Sequence, residues 1–177
     1  MGILTRFKDI MEANINALLD KAEDPEKMVD QYLRNLESDL GKVKAETAAV
    51  MADEAKAKRE LDSCKQEVDK YQAYAEKALK AGNESDARAF LEKKQSVARK
   101  LETLQQNYDL ATANATKMRE MHDKLVKDIN SLKERRDEIK AKANQAKAMQ
   151  EHNKIRNNVS DTSSAMAGLD RMDEKVN

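Results

Sequence analysis

Hydrophobic positions recur at alternating steps of three and four residues through two long stretches of the chain. The first stretch runs from Val29 to Ala78, and the second runs from Phe90 to Ala146. A sustained 3.5-residue repeat is typical of helices whose side chains interlock along one stripe. The pattern therefore predicts two long helices in coiled-coil contact.

A short break at Gly82 and Asn83 separates these two stretches. Glycine ends a helix readily, and Asn83 or Ser85 can cap the helix that follows. Because so short a connection leaves no room for a crossover, we predict an antiparallel hairpin over residues 25–156, with its turn near residues 81–84. The fold class is all-α.

The two stripes can be paired through the predicted turn. This pairing places Leu33 opposite Leu132, and Leu61 opposite Leu104. Where a polar residue lies on the stripe, a long side chain can lean out to water, and Lys94 is expected over the ring of Tyr71. A continuous two-helix register follows from the sequence.

Residues 1–22 precede the hairpin and predict one amphipathic helix over residues 2–20. Its apolar positions fall on one side, and Arg6 and Lys8 flank them, where their cations could reach lipid phosphates. The pattern alone fits insertion between lipid headgroups and docking on the chain's own hairpin or a neighbour equally well. The candidate membrane-binding residues are Ile3, Leu4, Arg6, Phe7, Lys8, Ile10, Met11, Ile15, Leu18 and Leu19.

The second helix extends beyond the start of the first, so its last apolar residues have no partner in the same hairpin. Other apolar residues, among them Met51, Leu110 and Met121, lie off the stripe and also lack a partner. Polar residues over 157–164 predict an interruption before a final helix within 157–177. Because a lone two-helix hairpin buries too little surface, we expect self-association. The candidate assembly residues are Ala143, Met149, Ile155, Met166, Leu169, Met172 and Val176.

Composition narrows the function classes. Of the 177 residues, 33 are basic and 33 acidic, and this balance disfavours nucleic-acid binding, which normally uses a basic excess. The single cysteine, Cys64, excludes an internal disulfide. No apolar stretch approaches the roughly 18 residues that a membrane-spanning helix needs, and the first residues do not have the pattern of a signal peptide. His122 and His152 are too far apart to suggest a metal site. We therefore expect a cytoplasmic protein that is not an enzyme and has no catalytic residues, metal or cofactor.

Three segments resemble a known family when taken in order. They are AEDPEKM over residues 22–28, AGNESDAR over 81–88 at the predicted turn, and DRMDEKV over 170–176. With the amphipathic start and the alanine-rich hairpin, they resemble the family of phage shock protein A and the plastid vesicle-inducing protein, and most closely its Gram-positive members. Such members usually continue further, whereas this sequence stops at Asn177, as a short member or a truncated chain would.

The resemblance implies a bacterial member of the ESCRT-III membrane-remodelling superfamily. Such proteins assemble staggered hairpins into rods, rings or helical filaments. It further implies that residues 3–19 contact anionic or curvature-stressed lipid on the inner face of the cell membrane. A C-terminal helix would cross neighbouring hairpins through Leu169, Arg171 and Met172. An alternative partner is a AAA+ transcriptional activator, which some family members restrain.

Overall fold

The computed structural model describes the backbone of residues 2–176 and the side chains of residues 2–160. Every regular element in that part of the chain is helical, which confirms the all-α fold. The elements are a 3-10 helix, η1 (Ile3–Arg6), followed by α1 (Phe7–Glu12), α2 (Ile15–Asp20), α3 (Pro25–Lys80) and α4 (Glu84–Val176).

The contacts divide the chain into two units. The first unit contains Met1–Asn14 and Arg34–Ile129, and the second contains Ile15–Leu33 and Asn130–Asn177. Helices α3 and α4 therefore contribute residues to both units.

In the first unit, α3 and α4 pack as an antiparallel pair. The thiol of Cys64 donates to the carbonyl oxygen of Val97 at 3.4 Å, and Lys94 Nζ donates to Gln72 Oε1 at 2.6 Å. Since the residue number rises along one helix as it falls along the other, these contacts confirm the antiparallel direction. The carbonyl of Val97 points one turn onward along α4. It therefore lies at the level of Leu101, which is the residue that the sequence pairing places opposite Cys64.

An aromatic cluster lies near the turn. The rings of Tyr71 and Phe90 stack with centroids 6.5 Å apart, and Tyr74 contacts Phe90 at 5.3 Å. The cation over Phe90 is Lys93, at 6.0 Å. The expected placement of Lys94 over Tyr71 is wrong, because the ammonium of Lys94 donates a hydrogen bond to the side-chain oxygen of Gln72 instead.

The turn itself is built from hydrogen bonds that end one helix and begin the next. Gly82 has a φ of +78°, its N–H donates to the carbonyl of Leu79, and the N–H of Asn83 donates to that of Ala78. This pair of bonds is the Schellman arrangement, which satisfies carbonyls at a helix end. The side-chain oxygen of Asn83 then accepts from the N–H of Asp86 at 3.1 Å and caps α4.

The start of α3 follows the predicted pattern. The carboxylate of Asp24 accepts a hydrogen bond from the N–H of Lys27 at 3.3 Å, Pro25 is the first helical residue, and Glu26 lies in the first turn. The capping side chain, the proline and the acid each suit the first turn of a helix.

The predicted interruption over 157–164 is wrong, since α4 continues as one helix to Val176. The polar residues of that stretch include neither glycine nor proline, and each costs a solvated helix only a few tenths of a kcal/mol. Along residues 144–160 the side chains are exposed, while Ala143 is half-buried. Five assembly candidates lie outside the described side chains, namely Met166, Leu169, Arg171, Met172 and Val176.

Gly82→Ala and Gly41→Ala should change stability in opposite directions. Neither added methyl group would meet an atom within 4 Å, so backbone conformation alone decides the outcome. Alanine at the positive φ of Gly82 should lower the free energy of unfolding by about 1 kcal/mol. Alanine within α3 at Gly41 should raise it by about 0.5 kcal/mol. Urea unfolding followed by circular dichroism at fixed protein concentration measures both, and equal signs would contradict this account of the turn.

Candidate functional site

The N-terminal segment, residues 2–20, is not the single helix that its pattern predicts. Helix α1 ends at Glu12, and Ala13 has an extended ψ of 130° while its N–H still bonds the carbonyl of Asp9. The carbonyl of Ala13 is held by Lys124, whose Nζ donates to it at 2.9 Å. The hairpin thus supplies the partner that a broken helix would otherwise lack.

The apolar side of η1 and α1 is buried against the hairpin in the first unit. Ile3 and Ile10 are 2% and 5% exposed. They pack in one cluster with four buried residues of α3 and α4, here called the docking groove, and Leu4, Phe7 and Met11 pack partly buried against it. The docking groove consists of Val43, Met118, Met121 and Leu125.

Met121 shows why this part of the hairpin needs the N-terminal segment as a cover. It lies off the hairpin stripe, so a two-helix hairpin alone would leave it exposed, yet it is fully buried. Its cover is the N-terminal segment of the same chain, which corresponds to the docking alternative considered from the sequence. Two other residues off the stripe, Met51 and Leu110, remain exposed.

An ion pair joins η1 to α3 beside the groove. The guanidinium of Arg6 contacts the carboxylate of Asp39, whose side chain is only 7% exposed, while Arg6 itself stays half-exposed. On the α4 side, the ammonium of Lys117 lies 5.4 Å from the ring of Phe7. Hydrogen bonds between ionised, partly buried groups are stronger than those between neutral groups, so this pair helps to fix the docked segment.

The first residues approach α3 closely. Glu46 Oε2 accepts a hydrogen bond from the backbone N–H of Ile3 at 3.0 Å. A Cβ added to Gly2 would stand 2.1 Å from both carboxylate oxygens of Glu46. Any other residue there would push this carboxylate aside, so glycine permits the contact.

Lys124 ties the end of α1 to α4. Besides the carbonyl of Ala13, its ammonium contacts the carboxylate of Asp128, which is 8% exposed. Because this carboxylate neutralises the half-buried ammonium, Lys124 can donate a hydrogen bond to the carbonyl at the helix break without leaving an unpaired charge.

In the second unit, α2 docks through a similar mixture of contacts. Asn16 Nδ2 donates to Ser131 Oγ at 3.1 Å, while Arg135 donates to the carbonyl of Asn16 and pairs with Asp20. Ile15 and Leu19 are buried, at 7% and 1% exposed. The side chains that hold α2 come from one stretch of α4.

The predicted membrane-binding residues are thus mostly covered. Ile3, Ile10, Ile15 and Leu19 are buried, and only Leu18 among the apolar ones is largely exposed, at 48%. Lys8 is exposed, and Leu4, Phe7 and Met11 are intermediate, while Arg6 is half-exposed and paired. Their predicted contact with lipid stays a prediction.

Sequence reasoning missed the polar residues that hold the segment, notably Asp39, Glu46, Lys124 and Arg135. On long helices rich in charge, such residues resemble any solvated face. One signal was available: the apolar stripe of α4 widens from Met118 to Leu125, as expected where a third helical layer covers it.

In the side chains that the structure describes, no three His, Cys, Asp or Glu residues cluster as metal ligands would. None of the described helices is both long and apolar enough to cross a bilayer.

Met121→Ala should destabilise the docked first unit, since it leaves a cavity under α1. For a fully buried methionine the free energy of unfolding should fall by about 2–3 kcal/mol. Leu110→Ala is the matched control, because Leu110 is 64% exposed and should change stability by less than about 0.5 kcal/mol. Equal effects in urea unfolding would contradict the groove.

Comparison of the sequence with those of known proteins identifies its family. The chain is 60% identical over 177 residues to the phage shock protein A homolog of Bacillus subtilis, covering 100% of this chain and 78% of that protein. It is 30% identical over 176 residues to the membrane-associated protein Vipp1 of Nostoc punctiforme, covering 99% of this chain and 68% of that protein. Residues 2–177 match the sequence profile of the PspA/IM30 family. The chain therefore belongs to the PspA/IM30 family.

Proposed function

We propose that this protein is a peripheral membrane protein of the bacterial stress response that inserts its N-terminal segment into lipid and polymerises through its hairpin. It acts by binding and assembly and not by catalysis. The observation that carries the proposal is a segment that contains eight large apolar side chains and is attached to a hairpin whose helices pair without it. The relative from Nostoc punctiforme is named as membrane-associated, which supports a lipid partner.

The segment can leave the hairpin without breaking a helix. The hydrogen bonds described above between it and the long helices each use a side chain: Glu46 on Ile3, Lys124 on Ala13, and Arg135 on Asn16. Since the loss of these three bonds leaves the backbone hydrogen bonds within α3 and α4 intact, we expect the two helices to keep their pairing when the segment moves to a bilayer.

A bilayer offers the apolar side chains of the segment an environment comparable to that of the docking groove. An aliphatic or aromatic side chain gains about 1.5–3 kcal/mol on full burial, so several inserted residues give a useful gross driving force before ordering costs. The segment has nearly equal numbers of acids and bases, and insertion of apolar side chains must therefore contribute more than attraction to anionic headgroups.

Polymerisation is supported by the uncovered part of α4. Met149 and Ile155 are each 62% exposed, and Val159 is 60% exposed, in the second unit. Large apolar side chains exposed along one helix favour contact with a second copy. Assembly would add many weak insertions into one stable attachment by avidity.

Leu18→Asn should weaken membrane binding without disturbing the docked fold, because Leu18 is already 48% exposed. Loss of its burial in lipid should raise the half-saturating lipid concentration about tenfold. The measurement is flotation with small vesicles of phosphatidylethanolamine and phosphatidylglycerol.

Leu110→Asn is the control for Leu18→Asn, as it removes an exposed leucine outside the N-terminal segment and should leave flotation unchanged. Deletion of residues 1–22 should abolish flotation while helicity persists. Flotation that survives this deletion would refute insertion by the segment. No flotation by the intact chain would favour a protein partner.

Ile155→Asp should impair polymerisation, because it places a charge where a second copy is expected to bury an apolar side chain. The concentration needed for assembly should rise at least about tenfold. Light scattering and electron microscopy measure the assemblies, and Asn153→Asp, an exposed neighbour given the same charge, is the control. Equal assembly by both variants would argue against this stretch of α4 as an interface.

A further inference from the structure

We infer that the docking groove is an intramolecular binding site that competes with lipid for the N-terminal segment, so that the structure is a closed form unable to insert. This inference rests on the proposed function and adds to it the device that regulates insertion.

The competition follows from which side chains are shared. Ile3 and Ile10, two of the apolar residues that would enter lipid, are almost fully buried in the groove. Phe7 packs against the same cluster and lies under the ammonium of Lys117. One side chain cannot occupy the groove and the bilayer together, so insertion requires undocking.

Polar contacts make the groove selective for this segment. Asp39 pairs with Arg6, Glu46 accepts a hydrogen bond from the N–H of Ile3, and Lys124 donates one to the carbonyl of Ala13. A bilayer interior offers no equivalent to these three contacts. When the segment is released, the cations of Arg6 and Lys124 can bind water or lipid phosphate instead. The closed form is therefore reversible.

The closed form also sets the apparent affinity for membranes. When only a fraction of molecules is open, the observed dissociation constant equals the intrinsic one divided by that fraction. Residues of the hairpin that would not themselves enter lipid, such as Met121 in the groove and Asp39 beside it, therefore control membrane binding.

Asp39→Asn should open the segment, because it removes the charge that pairs with Arg6. Without lipid, amide hydrogen exchange over residues 3–12 should become faster. With vesicles of phosphatidylethanolamine and phosphatidylglycerol, the half-saturating lipid concentration should fall about tenfold. Asp69→Asn, an exposed position on α3 with the same change in net charge, should alter neither measurement.

A covalent lock tests the same inference in the opposite direction. In a Cys64→Ala background, Ala13→Cys and Lys124→Cys can be joined by a short, cleavable bis-maleimide, since Lys124 Nζ reaches the backbone carbonyl oxygen of Ala13 at 2.9 Å. The cross-linked monomer should not float with vesicles, and cleavage of the linker should restore flotation.

The possible outcomes distinguish a failure of this inference from a failure of the proposed function on which it rests. Unchanged flotation of the cross-linked monomer would overturn the closed form and leave membrane binding intact. Cross-links found only between two chains would also overturn it. Absence of flotation by every variant, including Asp39→Asn with an open segment, would overturn the proposed function and this inference with it.

Discussion

A two-helix hairpin can bury only one stripe of each helix, and the rest of the structure depends on this constraint. Where α4 carries apolar residues beyond its stripe, as at Met121, their burial requires cover from another part of the chain or from another molecule. The N-terminal segment provides that cover in the first unit. Beyond residue 143, the part of α4 with described side chains has no such cover and presents its apolar residues to solvent.

Covering the groove with the N-terminal segment costs that segment its regular helix. Helix α1 stops at Glu12, and the chain passes through an extended Ala13 before α2 begins. Lys124 offsets this cost by bonding the exposed carbonyl, and Asp128 balances the charge of Lys124. Local helix propensity yields here to side-chain packing and to hydrogen bonding with the hairpin.

The sequence predicted those features that repetition or local chemistry determines. The 3.5-residue repeat established α3 and α4 and their antiparallel pairing, and Asp24–Pro25 and Gly82 marked the helix ends because their effects act within one turn. The break at Ala13 and the roles of Asp39 and Glu46 depend on residues distant in sequence. No periodic pattern records such contacts. The uninterrupted α4 was missed because polar residues weaken a helix without ending it.

The attachment of the N-terminal segment through side chains has an evolutionary consequence. Substitutions at Asp39, Glu46 or Lys124 alter how firmly the segment is held, while the stripe that pairs α3 with α4 is left untouched. Under the proposed function, selection can adjust the threshold for release of the segment one side chain at a time. The scaffold on which those adjustments accumulate remains the same.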